Sequence, residues 1–160
     1  MRLRSLATAA AVIALAAPLT SCGFDYATER DYTPAGGANN REGVVDLLSA
    51  VVVSGAEGSG TFVASLSNND GSEEQSLTGI SGVPGSDGAT IEAAEFEPIT
   101  VPADGLVNLA DPPAGIVLTG EFTAGDFVPL AIDFGNGERI SLNVPVVAND
   151  TGYWEGMDAS

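Results

Sequence analysis

Histidine is missing from the 160-residue chain, lysine is missing as well, and the sequence holds one cysteine, one tryptophan and two methionines. Each gap removes a chemistry. Without imidazole, amine or a spare thiol, a serine or threonine nucleophile lacks its usual base, and the Cys/His sets that hold zinc cannot be assembled. A single cysteine allows no intrachain disulfide, so stability has to come from a packed core. Positive charge is nearly absent too: five Lys plus Arg, all arginine, stand against 22 acidic residues, for a net charge of −17. Such a field repels nucleic acid and anionic headgroups, whose recognition needs clustered cations, and nucleic-acid binding is set aside. The carboxylates are expected to form a solvated surface that keeps the domain soluble. Nor does any apolar run reach the roughly 20 residues that a membrane span requires.

What is present begins at the N-terminus. Arg2 and Arg4 precede an apolar, alanine-rich run over 6–17, the layout of a secretory signal. The run leads into Leu19-Thr20-Ser21-Cys22, an aliphatic residue and two small residues before a cysteine, which is a lipobox. The expectation is cleavage after residue 21 and lipidation of Cys22, leaving the chain anchored at the extracytoplasmic face of the cell membrane. One acyl chain holds a protein marginally, at about 0.8 kcal/mol per buried CH₂, whereas two or three anchor it stably.

Residues 22–43 carry Pro34, Gly36, Gly37, Asn39 and Asn40 among charges with no sustained period, and read as the lipidated residue and a flexible tether. Residues 44–148 read as one domain and 149–160 as an acidic tail. Within the domain, Val128, Leu130, Ile132 and Phe134 alternate with less apolar residues, as do Ile140, Leu142, Val144 and Val146. Gly135-Asn136-Gly137 lies between these runs, with residues that tolerate the positive φ of a tight hairpin. Further strands are predicted over 44–54, 61–67, 76–80, 96–101, 106–109 and 116–119, separated by turn residues. The stretch 81–95, with Gly82, Pro84, Gly85, Asp87 and Gly88, reads as a long loop containing at most a brief strand. These features predict an all-β, seven- or eight-stranded antiparallel sandwich. Trp154, in a tail close enough to the terminus to move, is expected to find apolar cover.

Local motifs for chemistry are sparse. Gly55-Ala56-Glu57-Gly58-Ser59-Gly60 is glycine-rich but precedes a strand, so it reads as a turn and not a phosphate loop. The best local calcium candidate is the oxygen-rich turn 68–74, which lacks EF-hand spacing and reads as a polar hairpin loop. Paired carboxylates would serve a glycosidase. No aromatic cluster is there to bind a sugar.

Three segments carry a resemblance: Gly-Thr-Phe-Val-Ala-Ser-Leu-Ser-Asn at 60–68, Ile-Thr-Val-Pro-Ala-Asp-Gly-Leu-Val-Asn-Leu at 99–109, and Gly-Asp-Phe-Val-Pro-Leu-Ala-Ile-Asp-Phe at 125–134, followed by Val144-Pro145-Val146. In that order and spacing, over about 44–147, the chain resembles the PCu(A)C family of periplasmic copper chaperones and their actinobacterial lipoprotein relatives. The resemblance implies a cupredoxin-like or immunoglobulin-like sandwich. It also implies a Cu(I) site of two His and two Met, ligands whose softness suits that ion. This chain departs from that set. Gly115-Ile116-Val117 stands where the family has His-x-Met, the earlier pair falls in 91–97 with only Glu92, Glu95 and Glu97, and the one methionine beyond the signal segment is Met157. The fold is expected to carry over and the copper site is not.

The functional expectation is therefore a non-enzymatic binding or accessory module of the envelope, with no cofactor, reaching the membrane through its lipid and using its loops or edge strands to contact an envelope protein or a small ligand. The candidate contact loop is Pro112, Pro113, Gly115 and Val117, next to the family's metal end. The alternative is metal handling: copper delivery with a partner, through Met157 or carboxylates, or calcium binding. A carboxylate-based hydrolase is the outside reading.

Overall fold

Three consecutive valines, Val51, Val52 and Val53, are all fully buried in the strand β2 (Val45–Ala56). Successive side chains of a strand point to opposite faces, so such a run requires cover on both. The computed structural model describes residues 36–87, 90–150 and 152–160. The signal segment, Leu19, Thr20, Ser21, Cys22 and the tether as far as residue 35 lie outside the described residues.

The chain contributes β1 (Ala38–Asn40), β2, β3 (Ser59–Asn68), β4 (Gln75–Gly82), β5 (Glu92–Ala93), β6 (Ile99–Val101), β7 (Leu106–Asn108), β8 (Ile116–Thr119), β9 (Phe127–Phe134) and β10 (Arg139–Ala148). Val45 and Leu47 of β2 face the core, and so do Ala50 and Val52. The change of parity falls at Ser49, which has φ +53°. There β2 carries one extra residue against β3, between the pairs Leu48↔Ser65 and Val51↔Val63. This is a β-bulge. β1 pairs across the same place, and the Ser49 N–H donates to Asn39 Oδ1 at 2.9 Å. Gly37, at φ +107°, passes so close that a Cβ there would lie 2.5 Å from the Ser49 carbonyl carbon.

Hydrogen bonding runs round a closed ring, β2-β10-β9-β4-β5-β8-β3 and back to β2. The all-β expectation holds. In place of two separate antiparallel sheets, however, seven strands close into a barrel, with β1, β6 and β7 attached outside the ring. One pair is parallel, β10 with β2 through Val146↔Val52 to Ala148↔Ser54. The other pairings are antiparallel. The predicted hairpin forms, with Arg139↔Asp133 closing the β9–β10 ladder and the Gly137 N–H donating to the Phe134 carbonyl at 3.0 Å.

The barrel encloses Phe62, Leu66, Leu77, Leu130, Ile132 and Val144, each with no exposed surface. Full burial of such a side chain contributes about 1.5–3 kcal/mol. Val128, Leu130, Ile132 and Phe134 all reach this core, as do Ile140, Leu142, Val144 and Val146. The outer face of β2 and β3 makes a second cluster, Val51, Val53 and Val63, covered by Val147, Trp154 and Met157.

Two boundaries differ from expectation for stated reasons. Part of the predicted tether, Ala38–Asn40, is strand because β10 pairs only with residues 52–54 of β2 and leaves the edge at 47–50 for it to join. The strand expected over 96–101 begins only at Ile99, since Pro98 has no N–H to donate to a ladder. The brief strand allowed for in 81–95 is β5, which bridges β4 and β8. Among the described residues no helix is long and apolar enough to cross a membrane.

Candidate functional site

Outside the closed ring, two of the attached strands leave a seam between them that no strand pairing bridges. The outer edge of β3 is shared between β8, paired to residues 59–62, and β7, paired to 65–67. The outer edge of β4 is likewise shared between β5, at Ser81, and β6, at residues 75–77. β5 and β8 pair and complete the ring. β6 and β7 do not pair, and between them lies a groove of ≈ 320 Å³ lined by Phe96, Glu97, Ile99, Val107, Asn108, Leu109 and residues 112–114.

The predicted contact loop forms one wall of this groove. Ala110 and Pro113 make an isolated bridge around a cis Asp111–Pro112 peptide. The Ala114 N–H donates to the Leu109 carbonyl at 2.9 Å, and the Ala110 N–H to Asn108 Oδ1 at 3.0 Å. Pro112 and Pro113 are exposed and line the groove. Gly115, at φ +64°, lies beyond it, and Val117 is half-buried within β8, opposite Thr61. The structure therefore brings the two prolines to the site and leaves Gly115 and Val117 outside its lining. Sequence reasoning missed Phe96, Ile99, Val107 and Leu109 as partners of the prolines. The signal was Pro98, which separates Phe96 from the strand that follows.

The carboxylates proposed for metal are not gathered. Glu95 and Glu97 line a separate depression with Thr78, Gly79 and Ile80, and Glu92 is not part of its lining. Among the described residues no three His, Cys, Asp or Glu side chains are grouped to hold a metal ion. In the 68–74 turn, Asp70 Oδ1 accepts from the Ser72 hydroxyl at 2.7 Å, the Ser72 N–H at 2.8 Å and the Glu73 N–H at 3.2 Å. The Ser72 hydroxyl is the main reason that this carboxyl sits below its ordinary pKa. Asn68, 2% exposed, donates its amide to the carbonyls of Glu73, Val101 and Pro102. These bonds tie the turn to the end of β6 as a structural clasp.

Trp154 and Met157 cover the valines of β2 and β3. The segment is pinned by Asp158, whose Oδ2 accepts the Gly55 N–H at 2.6 Å and whose Oδ1 accepts the Thr61 hydroxyl at 3.0 Å. The Thr61 oxygen in turn accepts the Ala159 N–H at 2.7 Å. Burial pushes the Asp158 carboxyl up, but the bonds from Ser160, Gly55 and Thr61 outweigh it and hold the pKa below its ordinary value. Met157, the candidate soft ligand, is thus half-buried packing on an apolar patch.

No protein-family model matches the chain, and no curated protein sequence matches it. Among solved structures it is similar to the copper-bound PCuAC domain from PmoF2, at 13% identity and TM-score 0.54, over 69% of this chain and 98% of that one. It is also similar to the apo PCuAC domain from PmoF1, at 15% identity and TM-score 0.55, over 69% and 99% respectively. The apo PmoF2 PCuAC domain matches at 13% identity and TM-score 0.54, over 71% and 98%. The chain has a PCuAC-like fold.

Proposed function

We propose that the chain is an exported lipoprotein, held at the extracytoplasmic face of the cell membrane through Cys22, whose PCuAC-like barrel is a non-enzymatic contact module and carries no copper. One observation carries this reading: the barrel has the shape of copper-binding domains while the whole sequence contains no histidine. Cu(I) is selected by thioether, thiolate and imidazole donors, and carboxylates are poor substitutes for them. Met157 supports the same reading, because its side chain is engaged against Val51, Val53 and Val63. The lipobox at Leu19, Thr20 and Ser21 supports the anchor. The groove between β6 and β7 is the surface offered to an envelope partner.

The test is titration of the full chain in mild detergent with Cu(I) against a competing chelator, with Ca²⁺ run in parallel. The expected result is that the chelator keeps all of the copper and that Ca²⁺ causes no change. One equivalent of tightly held Cu(I) would return the protein to copper delivery. For the anchor, Cys22→Ser is expected to move the protein from the membrane fraction to the soluble one and to remove the lipid mass from its N-terminal peptide.

A further inference from the structure

The two sides of the seam are chemically different from the rest of the barrel wall. On β7 the Asn68 N–H donates to the Gly105 carbonyl and the Leu109 N–H to the Ala64 carbonyl, each at 2.9 Å. In an antiparallel ladder these bonds recur at every second residue. The Gly105 carbonyl, the Val107 backbone and the Leu109 N–H therefore face β3, while the Leu106 backbone and the Asn108 N–H face the open edge; the Asn108 carbonyl accepts the Asp111 N–H at 3.4 Å. Leu106 is 62% exposed, a high value for a leucine in a strand. Opposite, residues 94–98 belong to no strand. The floor between them is apolar, formed by Phe96, Ile99, Val107 and Leu109. Glu97 lines it, the exposed Asp111 directly precedes Pro112 of its wall, and no cation is among its lining residues. Among the described residues the cations are Arg41 and Arg139, and the latter is taken up by Asp133 at 2.6 Å.

We infer that this seam receives one extended segment of a partner protein, apolar at alternate residues and bearing lysine or arginine between them, laid as an added strand along the open edge of β7. The inference rests on the contact reading above and names the partner's chemistry. The edge supplies main-chain hydrogen bonds, which favour an extended peptide over a compact ligand. The floor takes every second side chain, as a strand's period requires. Glu97 and Asp111 select the charge, speeding encounter and rejecting acidic segments.

The probe is a capped nonapeptide alternating valine with lysine and threonine, followed by fluorescence anisotropy against the full chain in mild detergent. Two control peptides replace lysine by glutamate, or carry N-methyl groups on the residues that would face β7. Saturable one-to-one binding of the parent is expected, weakened about tenfold by glutamate and lost on N-methylation. Glu97→Lys, an exposed change that leaves the core untouched, is expected to weaken the parent about tenfold, whereas Glu42→Lys leaves it unchanged. The inference is overturned by an absence of saturation up to about 1 mM peptide, by equal effects of the two charge reversals, or by an N-methylated peptide that binds as well as the parent. A failed peptide series on a chain that takes no Cu(I) overturns the added strand and leaves the contact reading standing. Cu(I) held at one equivalent overturns both.

Discussion

Asp158→Asn tests whether the C-terminal segment is a working part of the fold. The carboxylate accepts from the Gly55 N–H, the Thr61 hydroxyl, and the Ser160 N–H and hydroxyl. An amide keeps one acceptor and turns an NH₂ toward donors that the other oxygen had served. Hydrogen bonds to a charged group contribute about 1.5–3 kcal/mol when buried, and half-exposure reduces this, so a loss of about 1 kcal/mol is expected, or roughly 3–6 °C in Tm. The folded-state pKa of Asp158 lies below its ordinary value. Its stabilisation is therefore complete above the unfolded pKa and is lost as pH falls through the folded one. Thermal unfolding followed by circular dichroism should give a constant gap between wild type and variant above about pH 5, shrinking below about pH 4. Asp70 is depressed as well, but it is present in both proteins and cancels in the difference. No gap at pH 7, or a gap unchanged at pH 2, would refute the latch.

Asn68→Ala removes the amide that bridges three carbonyls in a site 2% exposed. A loss of about 2–3 kcal/mol, read from chemical denaturation, is expected. Gly37→Ala places a Cβ 2.5 Å from the Ser49 carbonyl carbon at a φ of +107°. It should free β1, seen as faster amide exchange in 38–50 with the β9–β10 hairpin still protected. Phe62→Ala opens a cavity at a fully buried position and should cost about 3–5 kcal/mol by the same denaturation assay.

How much could be read from the sequence depended on whether local pattern or long-range closure decided the outcome. The β9–β10 hairpin was legible because its alternation, its Gly135-Asn136-Gly137 turn and its core-facing residues agree. Pro129 and Pro145 did not hide it, since eight alternating apolar positions outweigh two missing N–H groups. The cover over Trp154 was legible from the cost of leaving an indole in water. The bulge at Ser49 was not: a serine in a long apolar run gives no sign of positive φ, yet it decides which valines enter the core. Ring closure was hidden for a similar reason, because it depends on a three-residue parallel contact between β10 and β2 and a two-residue strand, β5. Pro112 and Pro113 were legible as an exposed loop, but the apolar floor behind them comes from residues that any strand would use.

The position of the seam follows from where the chain cannot form ladders. Pro98 and Pro102 bracket β6, and Pro112 and Pro113 follow β7 closely. None of these four has an N–H to donate, so neither strand can lengthen to meet the other. The ring closes instead through β5 and β8, at the other end of the β3 and β4 edges. Closure thus passes through backbone pairing and an apolar core: it runs through Glu92, Ala93, Ile116 and Val117, in the segments where the resembling family keeps its copper ligands, but draws on their main chain and not on imidazole or thioether. A barrel built this way keeps its shape when imidazole and thioether are absent. The same prolines leave β6 and β7 unpaired outside the closed ring, with an apolar strip between them and Glu97 beside it.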